Sequence, residues 1–380
     1  QEKRRAPRIS FTVKVQISWE GGTFSGYSID VSTVGIFVET REILPANTRL
    51  QAVFPLTGRF KGASIVAEGR VARNVTVEEA FERGNLPGLG IEFLRVRHGQ
   101  SQLFDMTLTT LRIDQLSLVF GYIFLLAPLL GVIYALHVGD WLQHTTGMMY
   151  AGAAIGAVFA GDLLTLFVFW ELTAIASVFL IWAAGTPQAH NAGMRYLIIQ
   201  VASGVILLAG SIFYYREAGT IAFNAIGIDS LAGMNILVAF GIKCAFPLLH
   251  NWLQDAYPEA TVTGTVMLSA FTTKLAVYAL ARGFAGTDIL IPIGTVMTAF
   301  PIFYAVIEND LRRVLAYSLN NQLGFMVVGI GIGTEMALNG TVAHAFTHIL
   351  YKALLFMSMG AVLYRTGTIK GSELGGLYKS

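Results

Sequence analysis

The stretch LLTLFVFWELTAIASVFLI, residues 163–181, is almost wholly apolar and carries a single carboxylate, Glu171, at its centre. A helix of about 20 apolar residues spans the roughly 30 Å hydrocarbon core of a bilayer. A charge at the middle of such a helix costs about 2.5–3.5 kcal/mol on insertion scales, so Glu171 requires a reason for being there. Two more stretches pose the same question. VAFGIKCAFPLL, residues 238–249, holds Lys243, and LSAFTTKLAVYAL, residues 268–280, holds Lys274. Three ionisable groups in separate spans suggest mutual pairing, and a facing Glu and Lys in low dielectric shift each other's proton affinity. That coupling suits a proton relay; a purely structural buried ion pair is the other reading of the same residues. A further row, His344, His348 and Lys352, repeats every four residues and therefore lies along one helix face. Imidazoles titrate near neutral pH and suit a proton wire, although His344 also reads as a histidine near a helix end, bonded to backbone or water.

Composition divides the chain around these spans. Residues 1–112 hold 15 of the 26 Lys+Arg and 11 of the 24 Asp+Glu, the charge density of a water-facing domain. The remainder is dilute in charge and reads as an all-α polytopic membrane bundle, residues 113–380. About nine helices are expected, near 114–136, 146–161, 163–184, 194–214, 230–250, 261–283, 288–307, 313–333 and 341–363. Pro247, shortly after Lys243, removes a backbone donor and is expected to break the fifth, which a bilayer tolerates where the break lines a cavity. Lys and Arg in the short loops favour an orientation in which the first span starts from the outer side, with Arg195, Arg312, Arg313, Arg365, Lys370 and Lys379 inside and Arg216 and Arg282 outside.

Residues 11–94 read differently. FTVKVQISW (11–19), TFSGYSIDVS (23–32), GIFVE (35–39), RLQAVFPL (49–56), ASIVAEGRVARNV (63–75) and GLGIEFL (88–94) alternate apolar and polar residues between turn signals. The pattern predicts a small six-stranded antiparallel β-barrel, followed over 98–112 by an amphipathic linker helix. The net charge of +2 gives no case for nucleic-acid binding. Cys244 is the single cysteine, so no intrachain disulfide is possible, and no metal-ligand cluster is expected.

FWELTAIASVFLIWAAG (169–185), GIKCAFPLLHNWLQDAYPEATVTGTVMLSAFTTKLAVYALARG (241–283), ENDLRRVLAYSLNNQLGFMVVGIG (308–331) and AHAFTHILYKALLFMSMGAVLYRTG (343–367) resemble the antiporter-like membrane subunits of multi-subunit Na+/H+ antiporters, the D subunit of the Mrp type in particular, and of respiratory complex I. The resemblance implies that Glu171 is the family's fifth-helix glutamate, Lys243 the lysine of its broken seventh helix and Lys274 that of its eighth. His348 and Lys352 match its eleventh-helix pair, and His344 joins them in the expected proton pathway. It also implies that the first span here is the family's third and that the chain stops before the broken twelfth. The expected function is a proton-translocating subunit of a monovalent cation/H+ antiporter, multi-pass in a bacterial inner membrane, with the other subunits as partners and H+, with Na+ in prospect, as cargo. The alternative is a proton-pumping, non-redox subunit of a respiratory NADH dehydrogenase or membrane-bound hydrogenase complex. No flavin, quinone or iron–sulfur motif is seen in the membrane part, so redox chemistry would belong to partners.

Arg4-Arg5-Ala6-Pro7-Arg8, followed by Asp30-Val31-Ser32-Thr33-Val34-Gly35, is similar to the RxxxR and [DN]xSxxG signatures of PilZ domains. The resemblance implies a cyclic di-GMP ligand bound by Arg4, Arg8, Asp30, Ser32 and Gly35. Arginine forks suit guanine O6 and N7 and phosphate. By themselves the same residues also read as a basic arm and an ordinary Asx turn. Cyclic di-GMP is a cytoplasmic messenger, whereas the loop charges place residues 1–112 outside. A genuine regulatory fusion and a junction between neighbouring coding regions both remain open at this point.

Overall fold

The computed structural model describes residues 9–10, 12–32, 35–55, 64–76, 78–80, 86–99 and 110–376. They fall into two compact units that divide near residue 106.

In the first unit the strands are β1 (Ile9–Ser10), β2 (Lys14–Trp19), β3 (Gly22–Ser32), β4 (Gly35–Glu39), β5 (Arg49–Pro55), β6 (Ser64–Val75) and β7 (Gly88–Gly99). All pairings are antiparallel. The order β3-β2-β5-β6-β7-β4 closes on itself because β4 also pairs with β3, and short β1 adds to β3. This is the six-stranded barrel that the alternation predicts. Val15, Ile17, Val38, Ala52, Val71 and Leu89 point inward and are buried, while Lys14 and Gln16 between them are exposed. Register shifts at Ser28/Asp30, Glu68/Gly69 and Val71/Arg73 supply the bends that closure needs. The linker helix expected over 98–112 does not begin at 98, because β7 runs to Gly99; residues 100–109 lie outside the described ones.

The second unit is helical: α1 (Gln115–Tyr134), α2 (Trp141–Val158), α3 (Leu163–Trp182), α4 (Pro187–Ala218), α5 (Leu231–Lys243), α6 (Asn251–Ala256), α7 (Val262–Ala270), α8 (Thr272–Gly283), α9 (Leu290–Ile307), α10 (Leu311–Ile332) and α11 (Glu335–Thr366). Six stretches are long and apolar enough to cross a membrane, with α7 and α8 counted as one. Side-chain caps from Asp114, Asp140, Asp162, Thr186, Ser230, Thr261, Asp310 and Thr334 start eight of the helices. Of the three without one, α6 and α8 are the second halves of interrupted spans. Among the described residues the nine expected spans are present as eleven helices, because two of the spans are broken rather than one.

The break after Lys243 is where Pro247 places it. Ala245 and Leu248 take left-handed φ values of 61° and 70°, each costing about 1–3 kcal/mol, and the Ile242 carbonyl accepts from the Ala245 N–H at 3.1 Å and the Trp252 indole N–H at 3.0 Å. The second break, at Phe271, contains no proline or glycine. There the chain's own helical bonds are replaced from outside. Tyr257 Oη donates to the Leu268 carbonyl at 2.8 Å, the Thr272 N–H donates to Tyr150 Oη at 2.8 Å, and Lys274 Nζ donates to the Ser269 carbonyl at 2.6 Å.

Ion pairs tie the helix ends. Arg282, at the last turn of α8, donates to both oxygens of Asp114 at 2.8 Å. Arg112 bonds the same carboxylate at 2.9 Å and also the Phe223 carbonyl at 2.8 Å. At the other end of the bundle the buried Arg312 donates to the Ala260 carbonyl at 2.7 Å and to Thr265 Oγ1. Asp114 precedes the first span, and the Arg282 fork, followed by the Ser117 N–H and the charge of Arg282, holds its carboxyl well below the usual carboxylate range against the opposing effect of burial. A depressed acid stabilises the fold above its unfolded pKa of about 3.9 and loses that contribution as pH falls. Asp114→Asn should therefore lower the thermal unfolding midpoint of the detergent-solubilised chain at pH 7, by an amount corresponding to about 1–3 kcal/mol. The gap to wild type should narrow below about pH 4, as scanning calorimetry at fixed rate would show.

Candidate functional site

Lys243 closes α5, and its ammonium is fully buried against α3. It donates to the Trp170 carbonyl and to Thr173 Oγ1, both at 2.9 Å, and lies 4.5 Å from the centroid of the Trp170 ring. Charge-assisted bonds of this kind contribute about 1.5–3 kcal/mol each and offset the desolvation of the ammonium. Glu171 is the next residue after Trp170 on α3. Among the described residues no ion pair joins it to Lys243: the sequence reading of direct mutual pairing is corrected to a lysine held by a carbonyl, a hydroxyl and a ring. Glu171 Oε1 is buried and has no hydrogen-bond partner in the protein. It is seated by Gly204 of α4, where an added Cβ would overlap that oxygen.

Lys274 is not beside Glu171 in hydrogen-bonding terms. Its ammonium serves the broken α7–α8 span by capping the Ser269 carbonyl; further along the chain stand His344, His348 and Lys352. Those three form one face of α11, the His344 and His348 rings 5.9 Å apart. Lys352 Nζ donates to Ser318 Oγ at 2.8 Å. Both ring nitrogens of the fully buried His348, and Nε2 of His344, lack a protein partner. Among the described residues no carboxylate forms an ion pair with Lys274, His348 or Lys352.

Several polar residues at this site carry no charge and escaped the sequence reading. Gln200 of α4 and Asn320 of α10 are fully buried, and neither amide finds a protein partner at either atom; Thr273 Oγ1 shares that condition. Buried polar atoms without protein partners are those that ordered water satisfies. Such orphaned atoms occur on Glu171, Gln200, Thr273, Asn320, His348 and His344. The bundle thus holds several titratable groups and buried polar side chains with unpartnered atoms, embedded in packed apolar side chains.

In the barrel, Asp30 and Ser32 lie half-buried on β3, and the Ser32 hydroxyl donates to the Gly35 carbonyl at 3.2 Å. Gly35 has a structural reason to lack a side chain, since a Cβ there would collide with the Ile91 carbonyl of β7. Arg4 and Arg8 lie outside the described residues.

The model of the family described as NADH:quinone oxidoreductase/Mrp antiporter, TM, matches residues 160–380, and that of the PilZ domain matches residues 2–108. The D subunit of a Na(+)/H(+) antiporter from Alkalihalophilus pseudofirmus is 32% identical over 245 residues, covering 59% of this chain and 50% of that protein. NAD(P)H-quinone oxidoreductase chain 4 from a Synechococcus strain is 31% identical over 250 residues, covering 61% and 47%. The chain thus spans about half the length of the curated relatives it matches. Among solved structures, the Mrp complex of a Dietzia species aligns with a TM-score of 0.63 at 24% identity over 70% of this chain and 54% of the other, a likeness of fold. An archaeal membrane-bound sulfane sulfur reductase aligns with a TM-score of 0.63 at 25% identity over 70% and 48%.

The tight seat of Glu171 gives a structural test. Gly204→Ala should destabilise the chain by about 1–3 kcal/mol through overpacking. Adding Glu171→Ala, which removes the displaced carboxylate, should recover most of that loss. Unfolding midpoints of the two single variants and the double variant, read as a double-mutant cycle, measure the coupling.

Proposed function

Because the chain belongs to the NADH:quinone oxidoreductase/Mrp antiporter transmembrane family, we propose that it is the proton-translocating membrane subunit of a multi-subunit monovalent cation/H+ antiporter. The observation that carries this is the placement of Glu171 and Lys243. The fully buried Lys243 and the half-buried Glu171, its Oε1 enclosed, meet at consecutive residues of α3, Trp170 and Glu171, without an ion pair between them. A locked ion pair would hold its protons; a lysine on a carbonyl and a hydroxyl, next to a carboxylate with an open oxygen, lets a proton arrive and depart. Lys274, His348, His344 and Lys352 continue the path. The lysine and histidine side chains exchange protons, while Thr173, Ser318 and the broken-helix carbonyls orient them, so the chain's own role needs no redox group. The partners are the other subunits of the assembly, and the multi-pass bundle sits in a bacterial inner membrane with H+ and Na+ as exchanged ions.

The residues of the first unit support a second element of the proposal, a cyclic di-GMP site on the PilZ domain built from Arg4, Arg8, Asp30, Ser32 and Gly35 that regulates transport. A proton-pumping subunit of a quinone-reducing complex is the competing reading, and the similar identities of the antiporter and oxidoreductase relatives favour it to the same degree.

Two measurements check these assignments. In inverted vesicles containing the chain with its partner subunits, cation-driven proton movement followed by a pH-sensitive dye should fall by on the order of 10²-fold for Lys243→Ala and Glu171→Gln; undiminished movement in both would contradict the pathway. Calorimetric titration of the whole chain with cyclic di-GMP should show saturable binding that the double substitution Arg4→Ala, Arg8→Ala removes; a flat titration of the wild type would remove the regulatory element.

A further inference from the structure

Two irregularities of strand pairing bring an arginine and an aspartate into one row on the outer face of the barrel. Val71 points into the core, so strict alternation along β6 would send Arg73 inward as well; the register shift between Val71 and Arg73 turns it outward. The shift between Ser28 and Asp30 does the same on β3, where Ser28 is buried opposite the inward Val38 and Asp30 pairs with Phe37. Phe37 lies between the inward Ile36 and Val38, so its ring stands on the outer face. The pairings Asp30–Phe37, Phe37–Gly90 and Gly90–Arg73 then run across β3, β4, β7 and β6 as one row, each strand about 4.8 Å from the next. Ser32, Gly35, Glu92 and Arg70 form the next row.

Arg73 does not stay over its own strand. Its guanidinium carbon lies over the Phe37 ring, 5.5 Å from the centroid, so the side chain crosses β7 to reach β4, the strand next to Asp30. Gly90 leaves room for that crossing: a Cβ there would stand 2.8 Å from Arg73 Cγ and 3.2 Å from its Nε. The two exposed arginines of β6 are used differently. Arg70 is committed to Glu92, with bonds of 2.8 and 2.9 Å from two of its nitrogens to one carboxylate oxygen. The N–H groups of Arg73 meet no acceptor among the described residues.

Resting on the cyclic di-GMP reading above, we propose that Arg73 is a further binding residue for that nucleotide, held on Phe37 and offering its N–H fork to the ligand beside Asp30. A guanidinium resting on an aromatic ring keeps its five N–H donors at its edge while its long stem is restrained, so less entropy is lost when a pair of acceptors arrives. Guanine O6 with N7, and two oxygens of one phosphate, are such pairs, and cyclic di-GMP carries both. Nothing in the spacing of the sequence marks this residue. Counted by alternation from Val71 it belongs to the interior, and only the bulge aims it at the face that holds Asp30, Ser32 and Gly35.

The test is a calorimetric titration of the detergent-solubilised whole chain with cyclic di-GMP, comparing wild type with Arg73→Met, Arg73→Lys and Arg49→Ala. Methionine keeps an apolar cover on Phe37 without donors, and lysine keeps the charge without the fork. Arg49→Ala removes an exposed charge from β5. Arg73→Met and Arg73→Lys should each raise Kd by roughly 10- to 100-fold. Arg49→Ala should stay within about twofold of wild type in 0.15 M salt, where distant exposed charges are screened. Wild-type affinity in Arg73→Met overturns the proposal, because the arginine would then only cover the ring. So does wild-type affinity in Arg73→Lys, or a loss in Arg49→Ala equal to that in Arg73→Met, since charge alone would account for either. A wild-type chain that shows no binding overturns instead the cyclic di-GMP reading itself, and the role of Arg73 with it.

Discussion

A buried ammonium must be given acceptors, and in this bundle the acceptors come from backbone as much as from side chains. Lys243 takes the Trp170 carbonyl, and Lys274 takes the Ser269 carbonyl that the break at Phe271 releases. The Trp170 carbonyl lies inside unbroken α3, where an oxygen with two lone pairs takes a further donor, whereas the Ser269 carbonyl stands at the break at Phe271. Interrupting the span therefore creates a polar socket in a place where lipid-facing backbone could not exist, tolerated because α7 and α8 are wholly enclosed by protein. The same arrangement leaves Glu171 free of a direct ion pair. A charged pair in tight contact would be stable and inert; a lysine satisfied by dipoles, with a carboxylate close by, is satisfied and still able to exchange.

The sequence made the spans legible because hydropathy over about 20 residues is a strong signal, and it marked Glu171, Lys243 and Lys274 because charges stand out in apolar runs. Pro247 announced the first break. The second was invisible, since no residue near Phe271 disfavours helix strongly; Tyr257, Tyr150 and Lys274 impose the interruption from distant or side-chain positions. Gln200, Asn320 and Thr272 were passed over for a related reason. Uncharged polar residues are common in membrane helices, and only packing shows that these are fully buried and that some lack partners. In the barrel, Gly35 was read through its motif, whereas its contact with the Ile91 carbonyl gives it a purely structural reason to lack a side chain.

The two units obey different physics. The barrel is held by alternate inward side chains and a closed ring of strand pairings. The bundle is held by caps, by the Arg282–Asp114 and Arg312 anchors at its ends, and by dense apolar packing around its buried polar groups.

The claim on which everything else depends is that the buried ionisable residues form one hydrated, connected row. Electron cryomicroscopy of the chain in its membrane assembly, at a resolution that shows ordered water, tests it most directly. The account predicts water density within hydrogen-bonding distance of Glu171 Oε1, the Gln200 and Asn320 amides and both His348 nitrogens, with Lys243 on the Trp170 carbonyl. A dry interior at those atoms, with Glu171 and Lys243 locked in direct contact, would contradict it.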